Sequence, residues 1–180
     1  YLAKVLAVVG SPRKETTYKL VEAAAEVVRE NGIEVELVCL AEYEIKPCQG
    51  CSEHCEEAGA CRIRDGMEEL YRKMREADAL IIGTPTYFWT VSGTLKNFID
   101  RSLPLYYTGG LKGKLGASIS VSEESGQNEA LNTISSFYQL HEMKEVGGVS
   151  IVRVGPVLEA QLEAARALGR MVAERLLRGG

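Results

Sequence analysis

No stretch of this chain stays apolar for the roughly 20 residues a bilayer-spanning helix needs, so no such span is expected. The N-terminus lacks the ordered basic and apolar segments of a signal peptide, and a cytoplasmic protein is therefore expected. Positive charge is in short supply too. Against 25 Asp and Glu stand 21 Lys and Arg, a net charge of -4 with a pI near 5.4. Neutralising phosphates takes the opposite balance, so a general nucleic-acid binder is excluded. No repeat or low-complexity segment interrupts the 180 residues, which suffice for one domain, read as residues 1–180, and are short for two.

Nucleotide signatures are also missing. There is no Gly-Lys-Ser/Thr P-loop and no Gly-x-Gly-x-x-Gly turn. The second expected strand runs into Leu37-Val-Cys-Leu40, with no acid placed for a ribose diol, so a mononucleotide is preferred to NAD as resident ligand. Structural disulfides are disfavoured, because five cysteines is an odd number and the expected compartment is reducing.

What is present begins with those cysteines. Four of them fall within Cys48-Gln-Gly-Cys51-Ser-Glu-His-Cys55-Glu-Glu-Ala-Gly-Ala-Cys61, inside a loop at 41–65 that offers little apolar cover. A structural free cysteine behaves as a small buried hydrophobe, so this clustering reads as a ligand set. Four thiolates close around either zinc or an iron-sulfur cluster. Zinc knuckles usually come as two short pairs divided by a longer run, whereas the crowding here suits a cubane; zinc and metal-free thiols are the alternatives. Within and beside the loop, His54, Arg62 and Arg64 read as solvated, and Cys39 reads as core.

The remaining chain alternates between two periodicities. Residues 3–9 form an apolar run typical of a strand covered on both faces, with Lys4 reaching water. From Leu20 a helical stripe follows (Val21, Ala24, Val27, Val28), closed by Asn31-Gly32, and residues 33–38 return to strand alternation. Asp65 with Glu68 reads as a capping pair for the stripe Met67, Leu70, Tyr71, Met74. Ala79–Gly83 is a third strand; Ser92 caps a helix that stops before Pro104. Leu115–Val121, a helix over Ala130–Leu140, Val149–Val154 and a helix over Leu158–Leu177 complete the series. His141, at a helix end, reads as a cation complementing the dipole. The alternation implies an α/β three-layer sandwich, a five-stranded parallel sheet of doubly wound order 2-1-3-4-5 with helices on both faces. Ligands in such sheets bind beyond the carboxyl ends of the strands.

Three of those loops carry polar chemistry. Gly10-Ser-Pro-Arg-Lys-Glu-Thr-Thr17 offers hydroxyls, the cations Arg13 and Lys14, and a helix N-terminus, a combination that suits a phosphate. Thr84-Pro-Thr-Tyr-Phe-Trp-Thr-Val-Ser92 brings Tyr87, Phe88 and Trp89 to a strand end, where a flat ring could lie against aromatics while amides meet its polar edge. Ser122-Glu-Glu-Ser-Gly-Gln127 supplies a third wall.

Gly10-Ser-Pro-Arg-Lys14, Lys46-Pro-Cys-Gln-Gly-Cys51 and Pro85-Thr-Tyr-Phe88 followed by Ser92-Gly-Thr-Leu-Lys-Asn-Phe-Ile-Asp-Arg101 together resemble the NAD(P)H-dependent FMN reductase superfamily of flavodoxin-like proteins. Among its members the chain is most similar to the iron-sulfur flavoproteins of archaea and anaerobes. The resemblance implies FMN with its phosphate near Ser11, Arg13, Lys14, Thr16 and Thr17, and its ring near Pro85, Thr86, Tyr87, Phe88, Trp89, Ser122 and Gly126. It also implies a [4Fe-4S] cluster on Cys48, Cys51, Cys55 and Cys61. The chain departs from the family pattern in having three residues between Cys51 and Cys55 and in placing Glu15 in the phosphate loop. The implied activity is an FMN-dependent oxidoreductase, with no side chain acting as nucleophile or general base. Ferredoxin or NAD(P)H would be the donor and a quinone, an oxygen species or a redox protein the acceptor. A homodimer or homotetramer is expected, in which Tyr106-Tyr107 covers the flavin or meets a second subunit. A cluster-free NAD(P)H:FMN or quinone reductase, a flavodoxin-type carrier and a zinc-stapled interaction domain are the rival readings.

Overall fold

Strand β1 (Lys4–Val9) shows why the chain folds in layers: Val5, Ala7 and Val9 face one side while Leu6 and Val8 face the other, and all are buried. The computed structural model describes residues 2–179; the end residues of the 1–180 span lie outside it. After β1 come α1 (Thr16–Glu30) and β2 (Glu34–Cys39), which pairs parallel to β1 with Val5 opposite Val35. The cysteine stretch contains a short helix α2 (Ser52–Ala58), followed by α3 (Met67–Glu76) and β3 (Ala79–Tyr87). A two-residue strand β4 (Thr90–Val91) folds back antiparallel on the end of β3. Next are α4 (Gly93–Asp100), α5 (Leu103–Thr108), β5 (Leu115–Ser122), α6 (Gln127–Leu140), β6 (Lys144–Val152) and α7 (Glu159–Leu177).

The sheet runs β2-β1-β3-β5-β6, every long neighbour parallel, which is the expected 2-1-3-4-5 order once β4 is set aside. Two apolar clusters hold it. Leu20, Ala24 and Val28 of α1 and Leu168 and Val172 of α7 cover the Val5, Ala7 and Val9 face. On the other face Leu70, Met74, Phe98, Ile134 and Tyr138 cover Leu6, Val8, Leu80 and Ile82. Each buried Val, Leu, Ile, Met or Phe among them contributes roughly 1.5–3 kcal/mol relative to exposure.

Several details differ from the sequence reading, each for a local reason. Helix α1 begins at Thr16 rather than Leu20, because its first turn is polar and carries no apolar stripe. Helix α2 has only Cys55 buried, so periodicity gives no sign of it. Pro104 opens α5 instead of following a helix end; in a first turn its missing N–H has no intrahelical partner to lose. Strand β6 starts at Lys144 rather than Val149, since it is an edge strand whose first half is largely exposed. The Asp65–Glu68 cap is also corrected. Asp65 Oδ1 accepts from the Met67 amide (3.0 Å), but its main partner is the buried Arg101, and Glu68 instead meets Arg64 at 2.6 Å. Lys4 does not simply reach water, but stands 3.4–3.6 Å from Glu34, Glu36 and Glu76.

His141 is not a dipole-complementing cation. It is 6 % exposed, and burial pushes its imidazole down to about 4, so it is neutral at pH 7. The Ser102 hydroxyl donates to the Ile99 carbonyl at 2.7 Å, so at the 2.8 Å contact with His141 its oxygen accepts and Nε2 carries the proton. Tyr106 lines a groove with Phe137 and His141 rather than the carboxyl-end cleft. Among the described residues no helix is long and apolar enough to cross a membrane.

Candidate functional site

The carboxyl ends of β1, β3 and β5 open into a cleft of about 550 Å³. Its first wall is the loop after β1, where Gly10 N donates to Gly83 O at 2.8 Å and seats the loop against β3. A Cβ on Gly83 would stand 2.2 Å from Val21 Cγ2, so only glycine lets α1 lie this close to the strand. Ser11, Arg13, Thr16 and Thr17 line that wall. Helix α1 starts at Thr16 with no side-chain cap, leaving first-turn amides and the positive end of its dipole at the cleft.

The second wall is the end of β3. Pro85, Thr86 and Tyr87 run out past the sheet, and the chain reverses through Phe88 (φ 41°) and Trp89 (φ 75°) into β4. Two bulky aromatics in the left-handed region are a strained turn, of order 1–3 kcal/mol each, sustained here by the β3–β4 pairing on either side. At the tip of this reversal Phe88 is fully exposed and Trp89 60 % exposed on the lip. Opposite lie Val121, Ser122, Glu123, Glu124 and Ser125. Gly126 lies behind that wall: its φ is 86°, and a Cβ would meet Thr86 Cγ2 and Trp89 Cα at 3.0 Å.

Two polar atoms in the cleft lack partners although they are buried. Arg153 Nη1 donates to Thr16 Oγ1 at 2.6 Å, while Arg153 Nε and Thr86 Oγ1 have none. Leaving such groups unpaired typically costs about 1–3 kcal/mol each, and a bound anion or carbonyl would remove that cost. Arg153 and Val121 were not foreseen from sequence, where the available signal was position alone, at or just past a strand's carboxyl end; Glu15, Glu123, Glu124 and Ser125 lie in the two loops the sequence had already set at the cleft. Lys14, expected in the cleft, points elsewhere: its Nζ meets Glu42 at 2.7 Å and lies 5.9 Å from the Tyr18 ring centre.

The cysteine loop has a different construction. Cys48 is exposed, Cys51 half-buried, Cys55 and Cys61 buried, and all are free thiols. Cys51 stands immediately before α2, without a side-chain capping bond, and Cys55 follows one turn later, which puts both on one face. Burial first, then the neighbouring Cys61, Cys51 and Cys48, pushes the Cys55 thiol up to about 11, so the four sulfurs share one neighbourhood. The Gly50 amide donates to Cys48 Sγ at 3.4 Å, and His54 is half-buried beside Cys55. Among the described residues no three His, Cys, Asp or Glu side chains already stand in a metal-binding arrangement.

Sheet order and cleft together define a flavodoxin-like protein. Solved structures share the fold: a flavodoxin from the domain Archaea at TM-score 0.70 and 18% identity, covering 97% of this chain and 99% of that one. Another is an NAD(P)H:quinone oxidoreductase from Methanothermobacter marburgensis, at TM-score 0.73 and 19% identity over 94% and 96% of the two chains. A family model described as NADPH-dependent FMN reductase matches residues 3–155, and the chain belongs to that family, which makes it a flavin oxidoreductase. It is 39% identical over 186 residues to an iron-sulfur flavoprotein of Methanocaldococcus jannaschii, covering 95% of this chain and 96% of that one. It is also 31% identical over 136 residues to an NAD(P)H dehydrogenase (quinone) of Trichlorobacter lovleyi, over 72% and 64% of the two chains.

Proposed function

We propose that the 1–180 span is a single FMN-binding unit that also carries a [4Fe-4S] cluster on Cys48, Cys51, Cys55 and Cys61. It exchanges electrons between NAD(P)H or ferredoxin and an acceptor such as a quinone. The observation carrying the flavin assignment is the pair of buried, unpartnered atoms, Arg153 Nε and Thr86 Oγ1, in the cleft beside the uncapped start of α1. Ser11, Arg13, Thr16, Thr17 and Arg153 hold the phosphate, because hydroxyls, a guanidinium and helix-end amides converge there. Pro85, Thr86, Tyr87 and Ser122 orient the ring, with Phe88 and Trp89 shielding it from water. Gly126 keeps the wall thin, and Lys14, held by Glu42, contributes only long-range charge.

Support for the cluster comes from the shared neighbourhood of four soft ligands, an amide directed at Cys48 Sγ, and the printed name of the 39% identical relative. When bound, FMN supplies one- and two-electron exchange and the cluster one-electron exchange. The side chains need do no acid–base chemistry; they bind, orient and exclude water. The exposed Phe88 and Trp89 on the lip support assembly as a homodimer or homotetramer, and the thiols suit a reducing cytoplasm. A second reading, a cluster-free NAD(P)H:quinone reductase, draws on the 31% identical relative.

Metal, acid-labile sulfide and flavin per chain after anaerobic purification decide between them, followed by NAD(P)H oxidation with a small quinone. About four irons and one FMN are expected. Flavin without iron selects the second reading, and absence of turnover selects a flavodoxin-type carrier. A folded protein that takes up no FMN overturns both enzyme readings.

A further inference from the structure

The cysteine loop is fastened at its neck by one buried side chain. Arg101, at the end of α4, is 1 % exposed, and its Nη1 donates to the Lys46 carbonyl at 2.8 Å. Nη2 donates to the Ile63 carbonyl at 3.3 Å, and the two nitrogens grip the Asp65 carboxylate at 2.8 and 3.0 Å. Asp65 in turn accepts from the Lys46 amide at 2.9 Å. Lys46 precedes the first loop cysteine and Ile63 follows the last, so this fork closes the loop like a drawstring. One helical turn earlier on the same face, Asn97 Nδ2 donates to the Ile45 carbonyl at 3.2 Å.

The other end of α4 is tied to the cleft. Ser92 Oγ caps the helix through Leu95 N (3.2 Å) and donates to Gly10 O (2.5 Å), while Ser92 N donates to Thr84 Oγ1 (3.2 Å). A helix of eight residues spans about 12 Å and is stiff over that length. Cys61 and the Tyr71 hydroxyl lie beside Arg101, and Tyr71 Oη donates to the Arg101 carbonyl at 2.5 Å.

We propose that Arg101, with Asp65 and Asn97, is the positioning clamp that holds the four cysteines in register and, through α4, at a fixed place relative to the cleft. This rests on the reading of the loop as a cluster cradle. It adds that the fold, and not the metal alone, preorganises the cradle. Arg101 touches neither substrate nor cleft, so its loss should leave FMN binding intact.

The test uses full-length FMN-bound protein, demetallated, as wild type, Arg101→Gln and Arg101→Lys. Alkylation of Cys55 and Cys61 by iodoacetamide and hydrogen exchange of residues 46–65 are followed by mass spectrometry, then iron uptake is measured. Expected in Arg101→Gln are an alkylation rise of about tenfold or more, exchange faster only within 46–65, less than about half the wild-type iron, and unchanged FMN. Arg101→Lys keeps the charge but not the fork, so it should show the same pattern more weakly, and it serves if the Gln variant does not fold. Unchanged alkylation and exchange in the variants overturn the clamp, as does faster exchange spread over the whole sheet. If wild type takes up no iron, the cluster reading fails while the alkylation and exchange results still decide the clamp.

Discussion

The cleft and the cysteine loop lie at opposite ends of α4 and are built by different means. The cleft's walls are strand ends and helix starts, set by sheet register and by a glycine at 83 that admits α1. Its unpartnered atoms, Thr86 Oγ1 and Arg153 Nε, sit on residues at the ends of β3 and β6. The cysteine loop has one short helix, few buried residues between its ends, and sulfurs that range from exposed to buried. Its order comes from the neck. A fold can prebuild a phosphate site out of backbone, whereas a thiolate cradle takes much of its final form from the metal it binds.

The largest expected effect separates the two sites outright. In Cys55→Ser, iron per chain should fall about tenfold or more while FMN per chain stays near wild type; joint loss of both would show that the regions are not independent. A smaller effect runs the other way. Arg153→Ala should weaken FMN binding by about 1.5–3 kcal/mol, roughly 10- to 100-fold, with iron content unchanged, as read by flavin fluorescence titration.

A third prediction concerns neither site. His141 is held at about 4 by burial against an ordinary value of 6.5, so the unfolded chain binds the extra proton first as pH falls. Its contribution is full above pH 6.5 and is lost by about 1.4 kcal/mol per pH unit down to pH 4. Denaturant titrations should show that slope in wild type and a flatter one in His141→Gln. Asp65 acts lower: burial would raise its carboxyl, but Arg101 and the amides of Lys46 and Met67 override this and hold it below the usual range. The drawstring is therefore expected to survive until pH falls below about 4.

Much of this was legible in the residues because two signals are strong. The near-continuous apolar run in Lys4–Val9 marks a strand covered on both faces, and the regular alternation of strands with helices points to the doubly wound order of the sheet. Ser92 announced its cap, and the Ser11–Thr17 and Pro85–Trp89 loops announced the cleft. What stayed hidden depends on tertiary partners. Arg153 sits in an ordinary-looking Val-Arg-Val and becomes informative only when the fold brings it 2.6 Å from Thr16 Oγ1. Arg101 and Asp65 are 36 residues apart, and no local pattern distinguishes a buried pair from two solvated charges. Lys14 failed for the converse reason: proximity in sequence to the phosphate loop says nothing of which way a long flexible side chain turns, and Glu42 decided it.

Paired binding titrations with FMN and riboflavin, on full-length protein whose cysteines have been stripped of metal and alkylated, address the cleft alone. If the phosphate is gripped by Ser11, Arg13, Thr16, Thr17 and Arg153, FMN should bind about 100-fold or more tightly than riboflavin under these conditions. Equal affinity for the two, or no flavin binding by the folded alkylated protein, would contradict the account.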